Sequence, residues 1–195
     1  MWRPEPAEGR LLLALARAAI ARALCLSGPD PQPLLAEALQ REVLCRPGAA
    51  FVTLRLAGEL RGCLGTLEAE EALARAVARQ AVAAALHDPR FPPLPPGELE
   101  PVRLGVSVLG PFTPVRLAEA IMPGRHGVAL ALRGRRSVFL PEVALEQGWD
   151  VSTLLEQLAV KAGLRRSDWH EAALSVFETV SFREGEGPGA ILRPS

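Results

Sequence analysis

The stretch Phe51-Val52-Thr53-Leu54-Arg55-Leu56-Ala57-Gly58-Glu59-Leu60-Arg61-Gly62-Cys63-Leu64-Gly65-Thr66 decides the fold class of this 195-residue chain. Val52, Leu54 and Leu56 alternate with Phe51, Thr53 and Arg55, the period of two that marks a half-buried strand. Gly58-Glu59 supplies the Gly-x pair of a tight turn and residues 60–66 return, so the segment predicts an antiparallel hairpin. Two glycines inside the return strand forfeit packing and mark a bulge, or a place where another backbone or a ligand comes close. Cys63, between them, is the candidate reactive group. A thiol is a useful nucleophile or ligand only as thiolate, and a neighbouring cation favours that form. Arg61 lies two residues away and so, in a regular strand, on the same face.

Outward from the hairpin the period changes. Leu12, Leu15, Ala16, Ala19, Ile20, Ala23 and Leu24 recur at three- and four-residue spacing and predict a helix over 8–26. Ser27-Gly28-Pro29-Asp30-Pro31 breaks it, and Leu34, Leu35, Ala38, Leu39 and Val43 make a second apolar stripe. Cys25 and Cys45 fall at the apolar ends of these helices and are expected to be buried as small hydrophobes. Residues 69–86 predict a third helix that stops at His87-Asp88-Pro89, after which a proline-rich run to Gly97 stays extended. Val102, Leu104, Val106 and Val108 make another strand. A second hairpin is expected at 127–132 and 136–140 around Arg133-Gly134-Arg135. Pro141 opens a short helix ending at Gly148, and Asp150 caps a further helix closed by Gly163. One last strand spans about 173–182, and the tail from Arg183 is expected to fray. Hairpins and helices without regular strand–helix alternation argue for an α+β fold.

Composition sets the outer limits. Lys+Arg and Asp+Glu both number 22, the net charge is zero and the sequence pI is near 6.8, so no general positive field gathers nucleic acid or an anionic membrane. Only Lys161 is lysine, and Asn and Tyr are absent. That is the codon bias of a GC-rich genome, which removes arginine richness as evidence of a partner. Cys25, Cys45 and Cys63 are odd in number and widely spaced, which indicates neither a disulfide framework nor a zinc knuckle and suits a cytoplasmic protein. Three dispersed histidines make no protein-only zinc site, and no nucleotide, phosphate-loop or hydrolase-elbow motif is present, so neither metal nor cofactor is expected. Two further segments carry candidate chemistry. His87-Asp88-Pro89-Arg90 ends a helix, with Asp88 and Arg90 either bracing a turn or binding an anion. Gly124-Arg125-His126-Gly127 is a loop from which His126 is a candidate base for Cys63, or a ligand.

Leu60-Arg61-Gly62-Cys63-Leu64-Gly65-Thr66, Asp88-Pro89-Arg90-Phe91-Pro92-Pro93-Leu94, Val106-Ser107-Val108-Leu109, His126-Gly127-Val128 and Leu140-Pro141-Glu142-Val143 occur in this order. With the run from Glu146-Gln147-Gly148-Trp149-Asp150 to Lys161-Ala162-Gly163-Leu164, they resemble the AMMECR domain family, whose prokaryotic members are called AmmeMemoRadiSam system protein A. The resemblance implies two domains, each with an antiparallel sheet and flanking helices, and a cleft between them faced by the Arg-Gly-Cys segment. Residues 1–118 with 171–195 form the larger domain, and 119–170 the inserted one. It implies a Memo-like protein and a radical S-adenosylmethionine protein as partners, but no particular reaction. Gly105 departs from bacterial members, which often carry an acidic residue there. The expected function is an enzyme or enzyme component in which Cys63, with His126, acts on a small-molecule substrate held by Arg61, Gly62, Gly65, Asp88 and Arg90. The other class is a non-catalytic module that binds a ligand or peptide at the same residues.

Overall fold

The computed structural model describes residues 2–185. Helix α1 (Pro6–Ala23) turns Leu12, Leu15, Ala16 and Ile20 inward, all fully buried, as their spacing requires. Proline starts it, and Glu5 and Glu8 cap it reciprocally. Asp30 caps α2 (Pro31–Leu39) by accepting the Gln32 N–H, and the single turn α3 (Glu42–Cys45) follows. Strands β1 (Ala49–Leu56) and β2 (Glu59–Gly65) form the expected antiparallel hairpin. Its central turn residues are Ala57 and Gly58, both at positive φ, so the turn falls one residue earlier than Gly58-Glu59. Positive φ at both positions gives the turn whose twist matches that of the strands. Helix α4 (Leu73–Leu86) and strand β3 (Arg103–Leu109) complete this part of the chain.

The next elements are β4 (Thr113–Val115), β5 (Gly127–Leu132), β6 (Arg135–Phe139), α5 (Pro141–Gln147), α6 (Val151–Lys161) and β7 (Ala173–Phe177). Asp150 caps α6 as its sequence predicts, accepting the Thr153 N–H at 2.8 Å. The residues read as one strand over 173–182 are two. β7 ends at Phe177, β8 (Thr179–Arg183) begins two residues later, and they join different sheets, ordered β4-β7-β5-β6 and β2-β1-β3-β8. Apolar alternation continues through the break because each half buries alternate residues in its own core. The Glu178 carbonyl at the break accepts the Gly110 N–H at 2.8 Å, so the outgoing and returning chain are held side by side.

By contact, one compact unit runs to Leu109 and resumes at Val180, and the other is Gly110–Thr179. Each has its own apolar core. In the first, Leu12, Leu15 and Ile20 of α1 and Val77 and Ala81 of α4 pack on Val52, Leu54, Leu104 and Val106 of the sheet. In the second, Leu154, Leu155 and Leu158 of α6 pack on Val128, Leu130, Leu174 and Val176.

The tail expected to fray from Arg183 is ordered at its start. Glu184 accepts the Arg17 Nε–H at 2.7 Å, a second bond from Arg17 Nη2, and the Leu104 N–H at 2.9 Å. Arg17 also donates to the carbonyls of Leu99 and Val102. Residues 186–195 of that expectation lie outside the described residues. Removing the carboxylate leaves a strand N–H and a half-buried guanidinium short of acceptors. Glu184→Ala is therefore expected to lower the unfolding free energy by about 2–3 kcal/mol. Urea denaturation checks it, and a loss below about 0.5 kcal/mol, as at an ordinary surface site, would show that this contact does not hold the chain end.

Candidate functional site

Strand β2 is an edge of its sheet, with β1 on one side only. Its register shifts between Leu54 and Arg55. Leu60 pairs with Arg55 and Gly62 with Leu54, which leaves Arg61 as the extra residue of a bulge. The bulge moves Cys63 opposite Thr53, whose Oγ1 lies 3.2 Å from the Cys63 Sγ. On the open edge the Cys63 peptide is met by side chains rather than by another strand. Asp88 Oδ2 accepts its N–H at 2.8 Å, and Arg90 Nη2 donates to its carbonyl at 3.0 Å. An Asp–Arg pair thus occupies the place of a neighbouring strand at this one residue, which also blunts an edge open to aggregation.

The pair is internally braced. Arg90 Nε and Nη2 donate to the two Asp88 oxygens at 2.9 and 2.7 Å, and Oδ1 also accepts the Arg90 backbone N–H at 3.1 Å. The Asp88 side chain is only 2 % exposed, that of Arg90 54 %. These guanidinium bonds, with the Cys63 and Arg90 amides and against the opposing effect of burial, hold the Asp88 carboxyl at about 2, below its ordinary 3.8. The Asp88 hydrogen bonds raise the Arg90 guanidinium in turn, with a smaller electrostatic contribution from Cys63. Arg90 Nη1 has no hydrogen-bond partner among the described residues.

Of the residues expected at the site, Cys63, Asp88 and Arg90 come together. Arg61 is engaged elsewhere. Its Nε donates to Glu98 at 2.8 Å, Nη1 to the Pro92 carbonyl at 2.9 Å and Nη2 to the Pro93 carbonyl at 3.4 Å, and 13 % of the side chain is exposed. The bulge breaks the alternation that gave Arg61 and Cys63 a common face. The close approach expected at the glycines is made by the protein itself. A Cβ on Gly62 would stand 2.3 Å from the Ala84 carbonyl oxygen, and one on Gly65 2.3 Å from the Phe51 ring. His126 belongs to the second unit, where its Nδ1 accepts the Met122 N–H at 3.1 Å. With Nδ1 accepting, the neutral ring carries its proton on Nε2 and presents a donor, not a base. Among the described residues no group of three or more His, Cys, Asp or Glu side chains is placed to hold a metal ion.

The other two cysteines correct the sequence reading, for both are exposed. Helix α1 ends at Ala23, and Cys25 lies past its cap at φ 57°, which takes it off the apolar stripe. Cys45 belongs to α3, which a break at Gln40–Arg41 separates from the α2 stripe, and its Sγ donates to the Glu42 carbonyl. The sequence reading also missed Thr53 and Glu98. Thr53 is recognisable only once the bulge sets the register, and Glu98 lies in a proline-rich run with no pattern that marks it.

These features define an α+β protein of two antiparallel sheets with a clamped thiol on the edge strand of one. The chain belongs to the AMMECR1 family, whose model matches residues 13–182. It is 35% identical to Protein MK0488 of Methanopyrus kandleri, over 94% of this chain and 92% of that one. It is 37% identical to a protein of Thermofilum pendens, over 91% and 89%. The crystal structure of the uncharacterized protein PH0010 from Pyrococcus horikoshii superposes with a TM-score of 0.80 at 29% identity, covering 94% of both chains.

Two predictions follow from this geometry. Because the Asp88 carboxyl is depressed in the folded state, the stability its ionisation contributes is complete above about pH 4 and is lost as the pH falls through about 2. Wild-type protein is expected to lose about 2 kcal/mol more than Asp88→Asn across that window. Denaturant midpoints at a series of acid pH values test this, and parallel acid limbs would contradict it. Arg61, with every guanidinium nitrogen committed, is expected to be structural. Arg61→Lys and Arg61→Ala should both destabilise by about 1–3 kcal/mol, since a single ammonium cannot reach three acceptors held by a planar fork. Paired melting curves decide this, and an unperturbed lysine variant would show that charge alone suffices.

Proposed function

We propose that the chain is an enzyme, or the reacting component of one, in which the Cys63 thiolate attacks a small-molecule substrate. A Memo-like protein and a radical S-adenosylmethionine protein supply or consume that substrate, a partnership that rests on family resemblance alone. The observation that carries the reading is the environment of Cys63. Its side chain is half-buried rather than sealed, its peptide is locked on both sides by the Asp88–Arg90 pair, and Arg90 adds a cation within electrostatic range. Locked geometry and a nearby cation are what a nucleophilic thiol requires. Asp88 serves as a positioning residue, because both its oxygens are spent on holding Arg90 and the Cys63 amide. No general base is assigned.

Cys25 and Cys45 are exposed and would compete for any thiol reagent, so the test uses a Cys25→Ser/Cys45→Ser background. In it, Cys63 is expected to alkylate readily with iodoacetamide at neutral pH in the folded protein. Arg90→Gln should slow the reaction about 3–10-fold and Arg90→Lys should largely restore it. A Cys63 that reacts only after unfolding, or a rate indifferent to Arg90, would overturn the proposal.

A further inference from the structure

Two side chains far apart in sequence approach Cys63 from opposite sides. Thr53, its cross-strand partner on β1, places Oγ1 3.2 Å from the sulfur. Arg90 reaches the same residue from the open edge of the sheet. The planarity of the guanidinium fixes where its remaining donor lies. Nε and Nη2 turn one side of the fork to Asp88, at 2.9 and 2.7 Å, and Nη2 also donates to the Cys63 carbonyl at 3.0 Å. The two N–H groups at the end of such a fork are parallel, so an Nη1 hydrogen runs alongside the bond to that carbonyl. No partner takes it among the described residues, and the charge it carries is coupled electrostatically to Cys63.

Thr53, Asp88 and Arg90 meet Cys63, and none of them exchanges a proton near neutrality. Asp88 is ionised down to about 2, with both oxygens engaged, and Arg90 stays charged. Displacing an alcohol or amine from carbon calls for a proton donor matched to the working pH, which these three do not supply. A hydroperoxide makes a smaller demand. Its O–O bond is weak, and fixed hydrogen-bond donors suffice to carry the charge that develops on the departing oxygen. The Thr53 hydroxyl can donate to the thiolate and accept an O–H at the same time.

We infer that Cys63 reduces hydroperoxides, with Thr53 accepting the O–H of the terminal oxygen and the Arg90 fork donating to the oxygen that leaves. The inference rests on the reading of Cys63 as a nucleophile and names its substrate class. The thiolate attacks the terminal oxygen, the S–O bond forms as the O–O bond breaks, and the sulfur is oxidised by two electrons to a sulfenic acid. The departing alkoxide takes a proton from water and leaves as an alcohol. A low-molecular-weight thiol then condenses with the sulfenic acid, releasing water and forming a mixed disulfide, and a second equivalent of that thiol restores Cys63.

The test uses the full chain with Cys25→Ser and Cys45→Ser, which leaves Cys63 as its one thiol. Hydrogen peroxide and cumene hydroperoxide are expected to consume Cys63 at neutral pH about tenfold or more faster than free cysteine, giving a product that dimedone traps and dithiothreitol reduces. Thr53→Val keeps a β-branched strand residue and Arg90→Lys keeps the charge. Each should slow the peroxide reaction about tenfold or more while changing iodoacetamide alkylation about threefold or less. A peroxide rate below that threshold, with ready alkylation, would overturn the substrate class and leave the nucleophile standing. Equal slowing of both reactions in the two variants would show that Thr53 and Arg90 only tune the thiolate, which also overturns the inference. A Cys63 inert to both reagents in the folded protein would overturn both readings.

Discussion

The backbone of α4 lies against the backbone of β2 at Gly62, where a Cβ would stand 2.3 Å from the Ala84 carbonyl oxygen, and the geometry of the site depends on that approach. With the helix seated so close, its last turn delivers Asp88 and Arg90 directly onto the Cys63 peptide. The proline-rich run that follows is pinned on the same strand by Arg61 through the Pro92 and Pro93 carbonyls, and on the helix by the Leu94 N–H to the Ala85 carbonyl. A residue that displaced α4 by even one methyl radius would separate the carboxylate from an amide it meets at 2.8 Å. Charge-assisted bonds weaken steeply with such separations, so a packing constraint with no chemistry of its own governs the chemistry beside it.

Much of this was legible in the chain. Alternation over 51–56, alanine periodicity over 73–86 and the Asp150 cap are local signals, and local geometry obeyed them. The α+β class followed from their mixture without regular alternation, and the two sheets from the family resemblance. What was not legible depends on single-residue insertions and on breaks. The bulge at Arg61 shifts the register by one, and because side chains alternate with a period of two, that shift changes which residues face Cys63. Two glycines announced a bulge somewhere, but not which residue would be the extra one. Likewise Val176, Val180 and Phe182 kept an apolar rhythm across Glu178 although the strands on either side belong to different sheets. Periodicity reports that a core is present and is silent on which core.

The cysteines show the same limit from another side. A helical stripe extrapolated two residues beyond Ala23 makes Cys25 a core residue, while the chain has already turned through a left-handed conformation and exposed it. Burial assigned by phase fails at helix ends, where the phase stops.

Arginine is so abundant here that its count carries no information, and the useful distinction is whether its donors are satisfied. Arg17 and Arg61 direct their nitrogens at carbonyls and carboxylates of the same fold, and each would leave several acceptors unpaired if removed. Arg90 is half committed, with Nη1 unpartnered among the described residues, and Arg103 has no hydrogen bond or ion pair among them. A side chain whose hydrogen bonds and packing are complete within the fold needs no ligand to explain it.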